Sequence, residues 1–116
     1  MHVLIILNDP AYGTERSYNG LRLAAELAKR PEESVRVFLL GDAASCAKSG
    51  QTTPQGYYNL GRMLQLISVK QGEIGVCGSC MEARGIKDAE LLAGTRPSTL
   101  EELTDWVLWA DRVVVF

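Results

Sequence analysis

Histidine occurs once in these 116 residues, at His2, and cysteine only three times, at Cys46, Cys77 and Cys80. An odd, small set of thiols excludes the disulfide framework that staples many small secreted domains. Zinc takes about four ligands, and the one C-x-x-C supplies two. No metal is therefore expected within one chain; only a site shared between subunits would complete the set. Phosphate signatures are missing too. No G-x-G-x-x-G follows the first apolar run, where "NDPAYGTERS" stands instead, and no G-x-x-x-x-G-K-[ST] occurs anywhere. Nucleotide binding would have to rest on helix N-termini alone. Nor is there an excess of one charge. Twelve Lys and Arg against 14 Asp and Glu give a net charge of −2, so no nucleic-acid or membrane surface is expected. No apolar run reaches membrane-spanning length, and "MHVLIILNDP" lacks the basic start and cleavage site of a signal peptide. The expected compartment is cytoplasmic, where thiols stay reduced and a disulfide is transient or catalytic.

What the sequence does have is an ordinary globular composition, 47% apolar and 22% charged, over a length that suits one domain, residues 1–116, with its own core. Four short apolar runs, Val3–Leu7, Val35–Leu40, Glu73–Cys77 and Arg112–Phe116, read as strands; three are rich in Val, Ile or Phe and nearly continuous in apolarity, as expected for strands covered on both faces. Helical periods lie between them. Tyr18, Leu21, Ala24, Ala25 and Ala28 form a stripe within Thr14–Lys29. Leu60, Met63, Leu64 and Ile67 form another within Tyr57–Gln71. Leu100, Leu103 and Val107 form a third, with Ser98 and Glu101 as its capping box. Pro31 and Pro97 fall outside these helices. The alternation predicts an α/β fold with a mainly parallel sheet between helices. A short extra strand is expected near Leu91–Thr95, and "GDAASCAKSGQTTPQ", 41–55, reads as a long mobile loop.

In an open parallel sheet, ligands bind beyond the carboxyl ends of the strands. Three such ends carry polar residues: Asn8 and Asp9, Asp42, and Cys77 with Gly78. Asp9 and Asp42 serve as caps or turn residues unless a proton-transfer partner exists. Tyr57 and Tyr58 are expected to start a helix beside the same edge, one packing and the other covering it. Trp106 and Trp109 read as packing or subunit-contact residues.

Cys77 closes the third strand, and "GSCMEAR" after it can start a helix. A thiol there faces unpaired amides and the positive end of the dipole, both of which favour thiolate. Gly78 and Ser79 allow close backbone approach and supply amides for an anion, and Arg84 lies two turns on. The alternative is a small buried residue with an inert thiol. Cys80, one helical turn away, is close enough for a disulfide, or else merely faces the sheet. Cys46 reads as a solvated loop residue, or as a mobile second thiol able to reach Cys77. His2 starts the first strand, at the far end of a sheet roughly 15–20 Å long, which argues against a Cys–His pair. A dithiol oxidoreductase fits the C-x-x-C, but a thioredoxin-like domain carries that motif after an early strand and has a later antiparallel hairpin.

Taken together, "NDPAYGTERSYNGLRLA", "VFLLGDAASCAKSGQTTPQGYYNLGRML", "VCGSCMEARG" and "STLEELTDWVLWADRVVVF" resemble the DsrE/DsrF-like family of TusD- and YchN-like sulfur-relay proteins, and within it a branch with C-G-x-C. The resemblance runs in order along essentially the whole chain. It implies a three-layer α/β/α sandwich of about five strands, commonly assembled as a homo-oligomer, a trimer or hexamer. It further implies sulfur carried as a persulfide on one strand-end cysteine, here Cys77, and exchanged with donor and acceptor proteins. No cofactor is implied. Persulfide chemistry needs a low-pKa, accessible thiol and neither histidine nor metal, and Cys80 or Cys46 would be the resolving thiol. The alternatives are a small dithiol oxidoreductase using Cys77 and Cys80, or a non-catalytic oligomeric binding module.

Overall fold

In the computed structural model, which describes residues 1–116, five strands form one fully parallel sheet. They are β1 (His2–Leu7), β2 (Ser34–Leu39), β3 (Glu73–Cys77), β4 (Thr95–Ser98) and β5 (Arg112–Val115), in the spatial order β4-β3-β2-β1-β5. Helices α1 (Arg16–Ala28), α2 (Leu60–Val69), α3 (Gly78–Ala83) and α4 (Leu100–Trp109) connect them. The expected α/β sandwich is present, and no helix is long and apolar enough to cross a membrane.

Strand alternation sorts the core into two layers. Val3, Ile5 and Leu7 of β1 pack with Leu21 and Ala24 of α1 and Leu60, Leu64 and Ile67 of α2. Leu4 points the other way, into a smaller cluster with Phe38, Cys77, Leu103 and Trp106. Burial on both sides explains why β1, β2 and β3 read as nearly continuous apolar runs. Gly20 of α1 is part of the tight side. A Cβ there would stand 2.3 Å from Leu7 Cδ2 and 3.0 Å from Phe116 Cδ1. Overpacking of this kind costs about 1–3 kcal/mol, against roughly 1 kcal/mol of helix propensity gained. Gly20→Ala is thus expected to lower the urea midpoint rather than raise it.

Three expectations are corrected. The extra strand lies at Thr95–Ser98, not Leu91–Thr95. Leu91 makes only an isolated bridge to Lys48, while Leu91 and Leu92 pack against the larger core. Pro97 sits inside β4, tolerated because that strand pairs only with β3 and is an edge. Helix α4 is capped one residue later than expected. Thr99 Oγ1 accepts the Glu102 amide at 3.1 Å, while Ser98 remains in β4 with its hydroxyl on the Glu102 carboxylate. The buried stripe is then Leu103 and Trp106, and Leu100 and Val107 are exposed. The bulky indole wins the inward position, edge-on to Phe38 with ring centroids 5.8 Å apart. Finally, the first half of 41–55 is a tight 3-10 turn, Gly41–Ala47, that buries Ala43, Ala44, Cys46 and Ala47.

Candidate functional site

The corner between β3 and α3 is where two thiols meet. Cys77 ends the strand and caps the helix, its sulfur accepting the Cys80 amide at 3.4 Å. The Ser79 hydroxyl lies 3.3 Å from the same sulfur. Gly78 sits in close packing: a Cβ there would stand 3.1 Å from the Ser98 carbonyl oxygen, so a side chain needs that backbone to give by a few tenths of an ångström. Burial raises the Cys77 thiol, which is 7% exposed. The neighbouring Cys80 thiol, the Ser79 hydroxyl and the amides of Cys80 and Ser79 outweigh it, so Cys77 ionises more readily than a free cysteine. Sequence reasoning looked to the amides of Gly78 and Ser79 for this; the donors at the sulfur are those of Ser79 and Cys80.

Cys80 has a different set of neighbours. Its sulfur accepts the Gly41 amide at 3.2 Å. Arg84 donates from Nη1 to the Cys80 carbonyl at 3.0 Å, and from Nε and Nη2 to Asp42 Oδ1 at 2.9 and 2.8 Å. Burial and the adjacent Cys77 sulfur push the Cys80 thiol up, while the Gly41 amide and Arg84 charge oppose them. The two thiols are therefore unequal, with Cys77 the readier thiolate. Gly41 was not foreseen; its one sequence signal is a glycine directly after a strand.

Cys46 is corrected from a solvated loop thiol to a buried one, 1% exposed, whose sulfur donates to the Asp9 carbonyl at 3.8 Å. Burial pushes it up to about 12, so it is a poor nucleophile and packs in the core instead. A stability dependence follows. The neutral thiol is favoured by folding, so its contribution is intact below an unfolded thiol's 9.0 and is lost as pH rises to about 12. Three units correspond to roughly 4 kcal/mol. Urea unfolding across that window should show the decline, and Cys46→Ala should flatten it.

Other candidates stand apart from the thiols. Asn8 ties β1 to the chain end through two bonds to the Phe116 carbonyl, from its amide at 3.0 Å and Nδ2 at 3.1 Å. Asp9 organises the turn before α1: its carboxylate accepts the Thr14 hydroxyl at 2.9 Å and its carbonyl accepts Ser17 at 2.7 Å. Tyr58 stacks on Tyr18 at 4.0 Å. Tyr57 lies before α2 rather than within it, 71% exposed, on a cleft of about 530 Å³ that Cys46 and Leu60 also line. Cys46 is thus the thiol that shares this cleft with Tyr57; neither Cys77 nor Cys80 lines it. His2 stacks on Trp109 at 4.4 Å and pairs with Ser34, at the opposite end of β2 from Leu39, the partner of Val76. No group of three or more His, Cys, Asp or Glu side chains is arranged to hold a metal ion.

Comparison with known proteins agrees with the sequence resemblance. The model of the DsrE/DsrF-like family matches residues 1–116. Protein YchN of Escherichia coli K12 is 37% identical over 117 residues, covering 98% of this chain and 97% of that protein. Its crystal structure superposes with a TM-score of 0.94 over 100% of this chain and 99% of that one, at 34% identity. Sulfurtransferase TusD of Salmonella typhi is 28% identical over 128 residues and 100% of both chains.

Proposed function

Because the chain belongs to the DsrE/DsrF-like family, we propose that it is a sulfur-relay protein in which Cys77 accepts sulfane sulfur and passes it on. The observation that carries this reading is the environment of Cys77, a strand-end sulfur with a hydroxyl and an amide directed at it. The name of TusD supports the sulfurtransferase direction.

The transfer balances without metal or cofactor. Cys77 thiolate attacks the outer sulfur of a donor persulfide; the donor S–S bond breaks, a Cys77–S–SH bond forms, and the donor leaves as thiolate. An acceptor thiolate repeats the exchange. Ser79 Oγ and the amides of Ser79 and Cys80 hold the attacking sulfur. Incubation with a persulfide donor followed by intact mass should show a gain of about one sulfur, ~32 Da, on the reactive thiolate. A Cys77–Cys80 disulfide formed with no adduct and no release of sulfide would favour a dithiol oxidoreductase instead. The working state is a cytoplasmic homo-oligomer, a trimer or hexamer, meeting donor and acceptor proteins. In support, β5 and α4 leave Val113, Val115, Val107 and Leu108 exposed.

A further inference from the structure

Gly41 has φ +55°, a left-handed conformation that suits glycine, and its amide ends on Cys80 Sγ. The adjacent Asp42 takes two donors of Arg84, whose remaining Nη1 holds the Cys80 carbonyl. Backbone of α3 and backbone after β2, some 40 residues apart in sequence, are thereby clamped around one sulfur. Stability is a poor explanation for the clamp. The Asp42 side chain is 62% exposed and that of Arg84 33%, and ion pairs so exposed contribute little to folding. What the clamp does specify is where Cys80 Sγ sits: the Gly41 amide ends on the sulfur and Arg84 on the carbonyl of the same residue, and both oppose the burial and the Cys77 sulfur that push the thiol up.

We propose that Gly41, Asp42 and Arg84 are positioning residues that hold Cys80 as a resolving thiol for Cys77. This rests on the persulfide reading of Cys77. Once Cys77 is loaded, Cys80 thiolate attacks Cys77 Sγ. The bond from Cys77 Sγ to the outer sulfur breaks, a Cys77–Cys80 disulfide forms, and the outer sulfur leaves with the electron pair as HS⁻. The sulfane sulfur gains two electrons and the two cysteines lose them; the Cys80 proton goes to water. A small thiol reductant restores the dithiol.

The test loads the whole protein with inorganic polysulfide, removes the excess, and follows sulfide release and intact mass. Arg84→Met should load Cys77 normally but release sulfide about tenfold more slowly, the worth of one hydrogen bond to a charged group. Its release–pH profile should move upward, and Arg84→Lys should recover part of the rate; Cys80→Ser should keep its persulfide. Wild-type release and pH profile in Arg84→Met would overturn the assignment. A second measurement separates it from the carrier reading. Treated with a small disulfide oxidant, Cys77 forms a mixed disulfide that Cys80 displaces. That displacement should slow about tenfold in Arg84→Met, and an unchanged rate overturns the positioning role whether or not polysulfide loads Cys77.

Discussion

Cys77→Ser is expected to abolish the sulfur adduct, bringing the ~32 Da gain to background, because the serine hydroxyl offers no thiolate to attack a donor persulfide. Cys80→Ser should keep the adduct, since Cys80 is the thiol whose neighbours favour its protonated form. Loss in Cys80→Ser with retention in Cys77→Ser would reverse the roles and sink the reading. The pH dependence sharpens it. Depression of the Cys77 thiol means thiolate is populated at lower pH than in a free cysteine. The loading rate should rise with pH and level off before a free thiol would. Ser79→Ala removes the hydroxyl at 3.3 Å, so its profile should move upward, with loading at saturating pH little changed. A profile identical to wild type would mean that Ser79 does not tune the sulfur. Ser79 is the second residue of the six-residue helix α3 and packs no core position, so a loss of fold does not mimic that result.

Where the sequence was legible, the physics was local. Strand β3 has the bounds that periodicity predicts because its four buried residues, Ile74–Cys77, are followed at once by a helix start. Placing Cys77 at a strand end also followed from local pattern, as did the distance to His2. What pattern missed depended on partners far along the chain or on size rather than hydropathy. "GDAASCA" looked like solvated loop because alanine, serine and glycine carry little hydropathic signal. Yet small side chains let the 3-10 turn press its backbone close to the sheet, burying Cys46. The α4 stripe was misjudged because Thr99 and Ser98 both offer a hydroxyl, and only pairing of Ser98 with Cys77 decides which one caps. Arg84 was visible as a charge near the thiols, but its direction is set by Asp42, 42 residues away.

Replacing Val113 and Val115 together by lysine is expected to convert an oligomer into a monomer. In register with Leu4 and Ile6, these two valines face the α4 side of the sheet. Helix α4 supplies that layer's two buried helical side chains, Leu103 and Trp106, while Val113 stays 42% and Val115 61% exposed. Leu108 of α4 is exposed as well, at 81%. Apolar side chains of this size contribute about 1.5–3 kcal/mol each when fully buried, so two charges in their place should weaken association by roughly a hundredfold or more. Because both positions are already exposed, circular dichroism and the urea midpoint should stay near wild type, separating dissociation from unfolding. Elution of the native protein at 12.7 kDa, or a variant of unchanged size, would count against assembly through this face. Cys77 belongs to the same layer but ends β3, with β2 and β1 between it and β5. Sulfur loading of the dissociated variant, read by intact mass, should therefore match that of the native protein if the thiol corner is complete in one copy.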